Sequence, residues 1–197
     1  MFEKTSIENK SLAKYITSIV GINEKIDRHW DEATINFIDI FSCDDPIYPN
    51  IKIFGTIGVS DHSNRIEMKD DNFQDIPIEL LITGYKEFDL LPNILSTAGF
   101  YITKKRWDCQ PGSVFMRIVD MYYEDSEMKH IMFVSPFLWE DKLEPLHLET
   151  KTVHWLLGTP ISDKELEFRM KNGASALEDI FQEKDIDIFD INRKSVI

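Results

Sequence analysis

Residues that could do chemistry are scattered along this chain rather than gathered into a signature. His147 and His154 flank Glu149, and two imidazoles with a carboxylate between them are metal-ligand types, but the spacing fits no common site. A histidine beside Trp155 in an apolar run is expected on a strand, half-buried and satisfied by a neighbour. His29, His62 and His130 have no local partner set that lifts them above the same reading. Asp44-Asp45 and Asp70-Asp71 are adjacent carboxylates of the kind that bind calcium or share a proton. Both lie in turn-like sequence without the alternating Asp/Asn ligands and glycine of an EF-hand loop, so solvated turn acids are expected. Cys43 and Cys109 lack CxxC spacing and read as buried thiols rather than as a zinc or redox pair. GxSxG, HExxH, GxxxxGKS/T and GxGxxG are absent. No catalytic, cofactor-binding or metal residue is assigned on these grounds, and a hydrolase or transferase would need a site converging from distant positions.

The remaining chemistry is charge. Lys and Arg number 22 against 35 Asp and Glu, a formal charge of −13. Nucleic acid is thereby disfavoured as a partner, because its binding rests on neutralising phosphates with basic side chains. An acidic surface suits a basic protein, whose approach it accelerates by long-range attraction; the plainer reading is that acidity keeps the protein soluble. Glu178, Asp179, Glu183, Asp185 and Asp187 cluster near the end with few bases before Arg193 and Lys194. These five are the candidate protein-binding residues, with a solvated helix face as the competing reading. The polar stretch from Asp61 to Asp75 is a second candidate surface.

The elements that must position these groups follow from periodicity. Ser6 offers a helix start, Ile7, Leu12, Ala13, Ile16, Ile19 and Val20 recur at helical spacing, and Gly21 supplies the stop. Strands are expected over 26–30 and 35–41, then, past an Asp/Pro turn cluster, over 51–59, where Gly55 and Gly58 predict a bulge or a close backbone approach. A surface loop or long hairpin connection over 60–75 leads to a strand at 76–83. A second helix carries Phe88, Leu91, Ile94, Leu95, Ala98 and Phe100, with Pro92 tolerated in its first turns. Further strands are expected at 114–119, 130–134 and 153–157. Ser162-x-x-Glu165 is a capping box that opens a helix from Asp163 to about Lys171, and Asn172-Gly173 ends it. A short helix over 174–181 leads into the alternating Ile186, Ile188, Phe189, Ile191. No repeat, linker or composition shift divides the chain, so one α+β domain spanning 1–197 is expected. The amino terminus is polar and no long apolar run occurs, so neither signal peptide nor membrane span is expected, and residence is expected to be cytoplasmic.

Four stretches, in this order and spacing, carry a family resemblance: NILSTAGFYI at 93–102, DSEMKHIMFVSPFLWED at 125–141, VHWLLGTPISDKELEF at 153–168 and IDIFDINRKSV at 186–196. Together they resemble the suppressor-of-fused family from about Trp30 onward, and within it the bacterial immunity proteins cognate to LXG-type toxins. The resemblance implies a mixed β-sheet flanked by helices, no enzymatic activity and no cofactor. It implies binding to a cognate, basic protein toxin, often a nuclease, whose substrate groove the acidic protein would cover. The alternative within the family is a general interaction or scaffold module. The resemblance transfers no binding residues, and the apolar spacing within the four stretches reads as core.

Overall fold

The structure, a computed structural model, describes residues 6–68 and 72–197, so the Asp70-Asp71 pair lies outside the described residues. Helix α1 (Ile7–Val20) begins where the Ser6 hydroxyl accepts the Asn9 amide at 3.0 Å, and it buries Leu12, Ala13, Ile16 and Val20. Helix α2 (Leu91–Lys105) carries Pro92 in its first turn, where no amide is required, and ends on Lys104 and Lys105 beside its negative dipole end. In α3 (Asp163–Asn172) the expected capping box is complete: the Ser162 hydroxyl accepts the Glu165 amide at 3.1 Å and the Glu165 carboxylate accepts the Ser162 amide at 2.9 Å. Helix α4 (Ala174–Glu183) follows at once.

Ten strands accompany them among the described residues: β1 (Ile22–Trp30), β2 (Phe37–Asp44), β3 (Ile51–Ile57), β4 (Arg65–Glu67), β5 (Phe73–Asp75), β6 (Ile78–Tyr85), β7 (Val114–Phe115), β8 (Met128–Val134), β9 (Leu146–His147) and β10 (Thr152–Ser162). The main sheet runs β1-β2-β3-β6-β10-β8-β7, with β9 on the start of β10. Only β6 and β10 pair in parallel, at its centre. The fold is thus the expected mixed sheet, with helices on both faces.

Strand alternation sends successive residues to opposite layers. On β6, Leu80 and Ile82 join Ile94, Leu95, Ala98 and Ile102 of α2, while Leu81 between them joins Leu12, Ile16 and Val20 of α1 and Leu177 and Phe181 of α4. Each such aliphatic side chain contributes roughly 1.5–3 kcal/mol on full burial. The expected close approach occurs at Gly55, where a Cβ would sit 2.2 Å from the Phe41 ring. Gly58 adopts φ 98°, the left-handed region open to glycine without strain.

Three expectations change. The strand expected over 114–119 stops at Phe115, because the Arg117 amide is taken by His130 Nδ1 at 2.8 Å and Arg117 itself turns to φ 60°. The loop over 60–75 contains a hairpin of its own, β4 paired with β5. The last strand is longer than 153–157 and runs directly into the Ser162 cap.

Candidate protein-binding surface

Most of the conspicuous charged and polar groups are consumed inside the fold. Glu165 is fully buried, and Arg193 grips both its oxygens, at 2.7 and 2.9 Å. The same guanidinium donates to the Pro160 carbonyl at 2.9 Å and lies over the Phe181 ring. Glu165 also accepts the Val196 amide at 3.1 Å, so one carboxylate caps α3 and ties down the chain end. Glu79, equally buried, accepts from the Thr56 and Ser60 hydroxyls and from the amides of Gly58, Val59 and Ser60. Burial pushes its carboxyl up, against the pull of these donors toward the anion. His130 accepts the Arg117 amide at Nδ1, which leaves the proton on Nε2, 2.9 Å from Asp163.

The expected metal and turn candidates resolve similarly. His147 Nδ1 lies 2.9 Å from the Thr152 hydroxyl, and His154 is exposed on β10 rather than half-buried. Among the described residues, no group of three or more His, Cys, Asp or Glu is placed to hold a metal ion. Asp44 is not a solvated turn acid: it closes β2 in ion pairs with Lys52 and Lys86, and the Lys86, Asn23 and Lys52 contacts hold its carboxyl far below the usual range. Asp45 accepts the Ile47 and Tyr48 amides, both at 2.8 Å. Cys43 and Cys109 are buried free thiols, as expected, and burial pushes Cys43 up to about 11. The second candidate surface is also internally engaged: Asp61 is bonded to Lys151 and Asn9, and Asp75 accepts the Asn64 amide.

Beside a concavity of about 400 Å³ between the start of β2 and the end of α2, where Asp61 and Lys104 are already paired, two concavities bear on a binding site. The larger, about 850 Å³, lies between the β4–β5 hairpin and the start of β10, lined by Ile66, Pro77, Pro111, Pro136, Leu143 and Trp155. Its titratable members do not converge: Asp75 and Lys151 are turned to the partners just named, and Cys109 is a buried thiol that burial pushes up, which leaves the exposed His154. No general acid–base pair or activated nucleophile results.

The smaller, about 480 Å³, lies where α4 passes the end of β8 and the later half of β10. Of the five candidate acids it gathers two, Glu178 and Asp185, and adds Glu140 from the segment after β8. Asp179 and Glu183 are exposed on α4 outside it, and Asp187 turns away to accept the Tyr85 hydroxyl at 2.6 Å. Burial, reinforced by neighbouring Asp179, raises the Glu178 carboxyl above its ordinary value. Sequence reading missed Glu140, Phe137 and Thr159, which complete this cleft, because nothing local to them signals α4.

A family model for the suppressor of fused protein (SUFU) matches residues 36–194. The chain is 40% identical over 190 residues to the immunity protein YqcF of Bacillus subtilis (strain 168), covering 96% of this chain and 97% of that protein. Solved structures share the fold at lower identity. A SUFU homolog from Neisseria gonorrhoeae FA 1090 superposes with a TM-score of 0.70 at 17% identity, over 96% of both chains. A chain of the Sufu–Fu complex reaches 0.61 at 12% identity, over 95% of this chain and 91% of that one. Drosophila Suppressor of Fused reaches 0.56 at 14% identity, and there the match spans 82% of this chain but 43% of the other. With a family match over most of its length and an end-to-end relative, the chain belongs to the suppressor of fused protein family.

Proposed function

We propose that this protein is an immunity protein that binds a cognate protein toxin and neutralises it by covering the toxin's active surface, without catalysis of its own. The observation that carries the reading is the end-to-end 40% identity to a protein named for immunity. The molecule's chemistry supports it in two ways. Buried carboxylates and histidines are spent on the fold, and the larger concavity gathers no acid–base pair. A formal charge of −13 suits a basic partner, taken here as an LXG-type toxin with nuclease activity, because opposite charge steers encounter and a groove built for phosphates is basic. The surface assigned to the contact is the acidic side of α4 and the turn that follows it, with Glu178, Asp179, Glu183 and Asp185; Asp187 is committed to Tyr85.

The test is co-expression with the toxin encoded beside it, followed by a nuclease assay on the purified pair. Restored growth and loss of toxin activity at an equimolar ratio are expected. Toxin that stays fully active with the protein bound would leave a scaffold role; toxin that does not bind would remove the reading.

A further inference from the structure

We infer that the cleft between α4, the end of β8 and the later half of β10 is a socket for an arginine side chain of the partner protein. Three carboxylates, Glu140, Glu178 and Asp185, line it, and no Lys, Arg or His does. All three are exposed, and none makes an ion pair or has its carboxylate hydrogen-bonded among the described residues, so their charge is available to an incoming cation. Among the described residues they do not form a metal-holding group, and the cleft's volume of about 480 Å³ has room for a larger cation. Beside the polar Gln182, Val134, Phe181, Ile186 and Ile188 give the cleft an apolar lining that matches the methylene stem of a long basic side chain.

A second, independent observation points the same way. Thr159 also lines the cleft; it is 2% exposed, and its hydroxyl has no hydrogen-bond partner among the described residues. Its side chain lies on the α4 side of β10, in alternation with Leu157 and Ile161 of that layer. A buried hydroxyl without a partner costs free energy, which an incoming N–H donor would recover. Phe137, about half exposed at the rim, offers a ring face to a planar cation. Several donors in a rigid fork, a planar face for stacking and an apolar stem are the attributes of arginine; lysine supplies a point charge without the plane.

The inference rests on the protein-binding reading for the identity of the partner, but its chemistry is testable without the toxin. The intact isotope-labelled protein is titrated with the peptide acetyl-Gly-Arg-Gly-amide, and with the same peptide carrying citrulline, the uncharged isostere, or lysine. Saturable amide shifts confined to Thr159, Phe137, Glu178 and 185–188 are expected with arginine, weaker with lysine and absent with citrulline. Shifts spread over the acidic surface, or equal with citrulline, would overturn the socket. The second arm uses the toxin: Glu178→Gln/Asp185→Asn and Thr159→Val should each speed dissociation, the double variant on the order of 30-fold or more. Glu149→Gln/Glu167→Gln, exposed and outside the lining of the cleft, should alter mainly the association rate. Cleft variants that dissociate like the parent would overturn the socket while the immunity reading stands; arginine shifts with no toxin binding would do the reverse.

Discussion

At the scale of single residues, acids that hold the fold do so through named partners, and several of these contacts shift a titration that can be read. Tyr85 closes β6 and gives its hydroxyl to Asp187 at 2.6 Å, while Asp187 also accepts the Phe189 amide at 3.0 Å. That carboxylate, then burial, pushes the phenol up to about 12. A folded-state value above the unfolded one of about 10 means that the contact stabilises the protein below pH 10 and that this stabilisation is lost as pH rises through 12. Asp187→Asn should therefore bring the Tyr85 phenol back toward the ordinary range. An absorbance titration of the variant, corrected with Tyr85→Phe, reads this directly; an unmoved titration would mean that Asp187 does not set the phenol. Asp31 and Asp44 carry the opposite sign. Lys104 and Asn36 beside the first, and Lys86, Asn23 and Lys52 beside the second, hold both carboxyls far below the usual range. Their contribution is present at neutral pH and is lost as pH falls, so acid loosens the β1–β2 connection at Asp31 and the end of β2 at Asp44, while alkali loosens the Tyr85 contact.

At the scale of elements, the chain end is fastened by one buried ion pair, Arg193–Glu165. Arg193→Met should leave the Glu165 carboxylate fully buried with only the Ser162 and Val196 amides, at a cost of about 3–5 kcal/mol. Glu165→Leu/Arg193→Leu should recover much of this, short of the lost cap, since no unpaired charge remains. Urea unfolding midpoints compare the two, and a double variant no more stable than Arg193→Met would show that packing around the tail, not the stranded charge, sets the cost. The same site marks how far the sequence can be read. Ser162 and Glu165 lie within one helical turn, so their reciprocal hydrogen bonds are legible as a local pattern. Arg193 reaches Glu165 only because α4 and the chain end fold back across it, and no spacing rule contains that. Likewise the apolar run after Ser113 reads as a strand, but His130 Nδ1 on the neighbouring β8 takes the Arg117 amide, and the ladder ends. In the cleft, Glu178 and Asp185 are visible as acids near the end of the chain, whereas their meeting with Glu140 and Thr159 depends on the packing of α4 across β8 and β10.

At the scale of the whole molecule, the two hydrophobic layers share their strands residue by residue. Leu80 and Ile82 of β6 face one layer and Leu81 the other; Ile131 and Phe133 of β8 face one, Met132 and Val134 the other; on β10, Leu156 is flanked by Trp155 and Leu157 of the opposite layer. The chain end binds them again, with Ile186 and Ile188 packed on the α1 side and Ile191 buried on the α2 side. Neither layer can open without stripping apolar contacts from strands that the other needs, so unfolding is expected as one cooperative transition of the entire chain. The protein carries its own reporters: Trp155 packs on Tyr15 of α1 at 5.5 Å between ring centroids, and Trp107 meets Phe115 of the α2 layer at 5.3 Å. In a urea series on the intact protein, the two folded-state indole N–H signals should decay with one midpoint. A midpoint for Trp107 well below that of Trp155 would instead divide the chain into layers that fold separately. The shared strands would then act as a scaffold that survives loss of the α2 face.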